Sequence, residues 1–137
     1  MSTIVVGYDD TPASQRALDR AVELAKVFGS SLIVTSVAPV PTTPGRAEGA
    51  IDPTDSPADH VEELVAARKH LESAGVASEF VPAVGHPADT ITQLAEQRSA
   101  ELIVVGTREI GFLGRLLGQS VSESVVHHAH CDVLIVH

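Results

Sequence analysis

The sequence predicts a doubly wound α/β fold, a five-stranded, mainly parallel sheet with helices on both faces, and three observations carry that expectation. Five short runs rich in β-branched residues recur along the chain, and four are nearly continuous in apolar character, as strands covered on both faces are. Helical stripes lie between the runs, so the order reads β-α-β-α-β-α-β-α-β, which crossover connections fold into a sheet wrapped on both sides. The length of 137 residues suits one domain, expected over residues 1–137, and a chain of that size hides about two-thirds of its extended surface without a disulfide or metal staple.

Each element has its own local justification. The first strand, Thr3–Tyr8 (TIVVGY), leads into a helix over Pro12–Phe28 whose apolar stripe is Ala17, Leu18, Ala21, Leu24, Ala25 and Phe28. Thr11 then Pro12 supplies an N-cap and a first-turn proline, and Gly29 supplies the stop. Leu32–Val37 (LIVTSV) is the second strand. After it, residues 38–56 (APVPTTPGRAEGAIDPTDS) hold four of the eight prolines and few large apolar side chains, which predicts a mobile loop. A second helical stripe (Val61, Leu64, Val65, Leu71) ends at Gly75. The third strand, Glu79–Val84, contains Pro82, which lacks an N–H and would interrupt a central ladder, so this strand belongs at an edge. A third helix begins at Pro87, with Ala88, Ile91, Leu94 and Ala95 on one face, and Glu101–Gly106 (ELIVVG) is the fourth strand. Ser120 and Glu123 have capping-box spacing and open a fourth helix that runs to about Ala129, before the last strand, Val133–His137.

Composition excludes several functions. Asp plus Glu number 18 against 9 Lys plus Arg, and the net charge of −9 opposes attraction to phosphate backbones or anionic membranes. Aromatics are 3% of residues and Trp is absent, so stacking platforms for single strands are lacking. Neither nucleic acid nor membrane is an expected partner. Cys131 is the sole cysteine, the N-terminal apolar run is too short for a signal peptide, and no run of eighteen apolar residues occurs. These features predict a cytoplasmic protein.

In open α/β sheets, ligands sit beyond the C-terminal strand ends where the winding reverses. Three places qualify: residues 8–11 after strand one, 37–38 after strand two, and 106–120 after strand four. The third, GTREIGFLGRLLGQS, has four glycines and two arginines and opens a capped helix. Such a loop can present backbone N–H groups to an anion, although glycines also serve plain turns. It is not a P-loop, because Phe112-Leu113 stand where Lys-Ser/Thr would grip phosphate and Mg²⁺. GxGxxG does not occur. Gly118-Gln119-Ser120-Val121-Ser122 lacks the final glycine of a nucleophile elbow and lies far from its strand, so no catalytic residues are assigned. His127, His128, His130 and Cys131 sit together at a helix end with no Cys-x2-Cys partner, a setting in which cationic His also complements the helix dipole, and no metal site is assigned there.

The opening VVGYDDTPASQRALDRAVELA, the segment GHPADTITQLAEQRSAELIVVGTR and the ending SVSESVVHHAHCDVLIVH, in this order and spacing, resemble the universal stress protein family over nearly the whole chain. The resemblance implies a cytoplasmic α/β protein, usually a homodimer, made in response to stress, with one branch binding ATP. That branch carries G-x2-G-x9-G-S/T after strand four. Here Gly106 and Ser120 match, whereas Glu109 and Gln119 replace two glycines. A carboxylate at 109 adds like charge beside a triphosphate, and the Gln119 side chain obstructs the close approach glycine permits, so ATP binding is expected to be weak and AMP or cyclic AMP less penalised. Arg108 and Arg115 offset Glu109.

By resemblance, Asp9 and Val37 meet the adenine side, Val105 and Gly106 flank ribose and phosphates, Arg108 adds charge, and Ser120 with Val121 meets phosphate. Each has a plainer structural account: Asp9 as a turn acceptor, Val37 and Val105 as core, Ser120 as a helix cap. Mg²⁺ at Asp9-Asp10 is expected only with bound ATP. The resemblance also implies that the apolar last strand, Val133–Val136, pairs with its copy in a homodimer, which would cover an otherwise exposed edge. Rivals to a nucleotide-binding stress protein are an interaction module without ligand and, least favoured, a slow ATPase.

Overall fold

A computed structural model describes residues 2–9, 11–38, 57–107 and 121–137, with the side chains of 37, 38, 57–63 and 121–123 outside that description. The elements are β1 (Thr3–Gly7), α1 (Pro12–Phe28), β2 (Ser31–Ala38), α2 (Pro57–Glu72), β3 (Ser78–Val84), α3 (Pro87–Gln97), β4 (Leu102–Gly106), α4 (Val121–His128) and β5 (Asp132–Val136). They form one five-stranded sheet of order β3-β2-β1-β4-β5. All four pairings are parallel, so the expected mainly parallel sheet is a fully parallel one. The predicted loop loses Ala38 to the end of β2, and its remainder, 39–56, lies outside the described residues.

Alternation along the strands sorts side chains into two cores. Ile4, Val6, Leu32, Val34 and Val104 point to α1 and α2, where they meet Ala17, Leu18, Ala21, Leu64, Ala67 and Leu71. Val5, Ile33, Ile103 and Val105 point the other way, to Ile91, Leu94 and Ala95 of α3 and Val125 of α4. Helices therefore cover both faces, which explains why the central runs are apolar at consecutive positions.

The caps of α1 match their sequence signals. Thr11 is extended and its hydroxyl accepts from the Ser14 N–H, Pro12 occupies the first turn, and Gly29 closes the helix in the left-handed region at φ 67°. One member of the predicted stripe departs: Phe28 is 62% exposed, while Val22, outside the stripe, is buried. Seventeen helical residues span about 25 Å and five strand residues about 17 Å, so the last turn overhangs the sheet. In α2, Val65 of the predicted stripe is exposed and Ala67, outside it, is buried. β3 is an edge strand as Pro82 requires, and Thr35 Oγ1 donates to the Val81 carbonyl at 2.7 Å beside it.

Candidate functional site

β1 is the point from which the chain winds both ways, to β2 on one side and to β4 on the other. The C-terminal ends of β1 and β4 therefore diverge into different connections, and in open α/β sheets this reversal point is where ligands bind. Two site residues expected from the sequence, Asp9 and Gly106, meet there through the first turn of α1. Ser14 is their shared neighbour. Its hydroxyl accepts from the Asp9 N–H at 3.3 Å and donates to the Thr11 carbonyl at 3.0 Å. Its backbone N–H lies where a Cβ on Gly106 would come within 2.9 Å, and the Ala13 carbonyl group would be nearer still, at 2.5 and 2.6 Å. Glycine at 106 is thus demanded by the approach of β4 to α1, whatever else it does.

The Asp9 carboxylate is held by a local turn. Its Oδ1 accepts from the Thr11 N–H at 3.1 Å and from the Thr11 hydroxyl at 2.6 Å. This is the plainer role expected of an aspartate before a helix, and among the described residues none bonds Oδ2. Val105 is 3% exposed and belongs to the core against α3 and α4, so its backbone is the part facing the strand end. Val37 lies at the end of β2 in register with Ala83, and Val121 is the first residue of α4. Arg108, Glu109, Gln119 and Ser120 lie outside the described residues.

Sequence reasoning missed three residues at this end of the sheet. Thr107 follows Gly106, and its N–H donates to the Val136 carbonyl at 2.8 Å. Its hydroxyl lies 3.0 Å from Nδ1 of His137, and Arg16 Nε donates to the His137 main-chain oxygen at 2.9 Å. Ser14, three residues after Thr11, had a readable signal in the hydroxyl spacing at the helix start. Thr107 and His137 had none, because their meeting depends on the register of β4 with β5.

The histidine and cysteine group at the end of α4 is drawn apart. His128 Nδ1 lies 2.8 Å from the Ser124 carbonyl, and His130 Nε2 lies 3.0 Å from Glu96 Oε1 of α3. Burial, reinforced by Asp132, pushes the Cys131 thiol above its ordinary pKa and away from the thiolate that binds metal. Among the described residues no three His, Cys, Asp or Glu side chains cluster to hold a metal ion. A concavity of about 340 Å³ opens at the opposite, N-terminal strand ends, between Ser31, Ala77, Ser78, Glu79 and Arg98. Arg98 grips Glu79 there with both terminal nitrogens, which lowers the Glu79 pKa and raises that of Arg98, so its charges are mutually spent. Among the described residues no helix is long and apolar enough to cross a membrane.

Comparison with known proteins agrees with this geometry. The sequence profile of the Universal stress protein family matches residues 1–137. A universal stress protein of Mycobacterium tuberculosis (strain H37Rv) is 36% identical over 140 residues, covering 98% of this chain and 95% of the relative. Among solved structures, a universal stress protein in complex with cAMP is 32% identical with a TM-score of 0.76, covering 99% of this chain and 97% of that one. The universal stress protein UspA from Lactobacillus plantarum, 25% identical, has a TM-score of 0.79 over 99% and 97% of the two chains. Fold order and full-length similarity together lead to one conclusion: the chain belongs to the universal stress protein family.

Proposed function

We propose that this chain acts by binding an adenine nucleotide at the C-terminal ends of β1 and β4, with AMP or cyclic AMP favoured over ATP, and that it is not an enzyme. One observation carries the reading: the exits of β1 and β4 converge on Ser14 where the winding reverses, in a chain 32% identical to a relative in complex with cAMP. Asp9 then offers Oδ2 to the adenine side, together with the backbone at Val37. The backbone of Val105 and Gly106 flanks ribose and phosphate, while Arg108, Ser120 and Val121 meet the phosphate. A single phosphate suits Glu109 and Gln119 better than a triphosphate does. Mg²⁺ enters only with ATP.

The chain is also proposed to be a single domain that forms a homodimer through Val133–Val136 and works in the cytoplasm. The position of β5 at a sheet edge supports that pairing. Thermal unfolding with AMP, cyclic AMP and ATP tests the binding. A ligand present at 100 times its Kd adds about 2.7 kcal/mol, or roughly 8–10 °C in Tm for a chain of this size. Stabilisation by AMP or cyclic AMP exceeding that by ATP is expected. No shift with any of the three overturns the reading and leaves the ligand-free interaction module, and phosphate release from ATP overturns the non-enzymatic assignment.

A further inference from the structure

We infer that His137 is a positioning residue for the phosphate end of the site, and that its protonation tightens binding of an anionic nucleotide through Thr107. The inference rests on the nucleotide reading above and adds regulation to it.

Three contacts carry it. Thr107 is the first residue beyond Gly106, and its N–H is fixed to the Val136 carbonyl at 2.8 Å, so the chain leaves β4 in a direction set by β5. The Thr107 hydroxyl lies 3.0 Å from His137 Nδ1. Arg16 of α1 holds the main-chain oxygen of His137 at 2.9 Å, which anchors the backbone from which the ring extends.

Imidazole is the side chain whose charge ordinarily changes between pH 5 and 8. When Nδ1 is unprotonated it accepts the Thr107 hydroxyl proton. An imidazolium has a proton on Nδ1 and no acceptor there, so the hydrogen bond reverses: Nδ1–H donates to Thr107 Oγ1. The hydroxyl proton of Thr107 is then released to donate to a phosphate oxygen beside Gly106. The positive ring adds attraction of the same sign. Arg16 is a charged group held against the main chain of His137. Arg16 remains a cation throughout this range, so it does not itself supply a pH dependence.

Cyclic AMP is the appropriate probe, because its phosphodiester lacks the second ionisation near pH 6 of a phosphomonoester. Calorimetric titration of the intact protein from pH 8 to pH 5.5 should show affinity rising about threefold, as expected for one added charge several ångströms away in a wet site. In His137→Asn, which retains a hydrogen-bonding side chain without the titration, the profile should be flat. Thr107→Val, which keeps the charge of the ring but lacks the hydroxyl donor, should show a smaller rise than the wild type. In the nucleotide-free protein, the Thr107 amide resonance should titrate with the same midpoint as the His137 ring.

A flat wild-type profile, a rise that survives in His137→Asn, or a Thr107 amide indifferent to the ring overturns the inference while leaving nucleotide binding in place. Absence of cyclic AMP binding at every pH fails the nucleotide reading itself, and this regulation falls with it.

Discussion

Gly106 shows how one residue can satisfy a motif for two separate physical reasons. The family pattern uses glycine to admit phosphate, whereas the structure puts the missing side chain against the backbone of Ala13 and Ser14. Gly106→Ala is therefore expected to destabilise the fold by about 1–3 kcal/mol without any ligand present, read as a lowered Tm. An unchanged Tm would refute the close approach. Glu109 and Gln119 are the opposite case, departures from the pattern at positions where the sequence predicts a cost for a triphosphate. Replacing both, Glu109→Gly with Gln119→Gly, should raise ATP affinity in a binding titration, and unchanged affinity would show the motif to be placed in the wrong register. Asp9 was legible as an acceptor at a helix start. Its grip by Thr11, and the way Ser14 ties it to the approach of Gly106, were not, because those depend on how α1 is seated across β1 and β4.

At the scale of elements, local signals were most legible where they act over a few residues. The α1 signals Thr11-Pro12 and Gly29 all fall where the sequence put them, and Pro82 assigns β3 to an edge. Thr11→Ala should cost about 1 kcal/mol, since the hydroxyl both caps α1 and bonds Asp9 Oδ1, and a denaturant midpoint unchanged from wild type would contradict that dual role. Periodicity was less informative at helix ends. Phe28 keeps step with the buried stripe yet stands in solvent, because burial needs a sheet beneath the residue, and the sequence of one helix does not state how long the neighbouring strands are. In α2 the departure lies inside the helix, where the small Ala67 faces the sheet and the larger Val65 of the expected stripe does not. Strand limits moved by a residue, as at Ser31 and Leu102, where the ladder with β1 decides pairing.

For the molecule as a whole, the parallel sheet and its two cores followed from five apolar runs and the helices between them, and the register then fixed what only three dimensions can supply. The meeting of Thr107 with His137 joins positions thirty residues apart. At this scale the proposed pairing through β5 is tested by size-exclusion chromatography with light scattering, where twice the chain mass at micromolar concentration is expected and a monomer would sink the proposal. The two flanks of the sheet differ in kind. β3 includes Pro82, which has no amide proton to offer, and Glu79 along the same strand is clamped to Arg98. If two copies zip together along β5, the ribbon that results shows only β3 at either end, and neither end can readily accept another chain. Growth then stops at a pair, and a protein with an open sheet is spared the runaway stacking that open sheets invite.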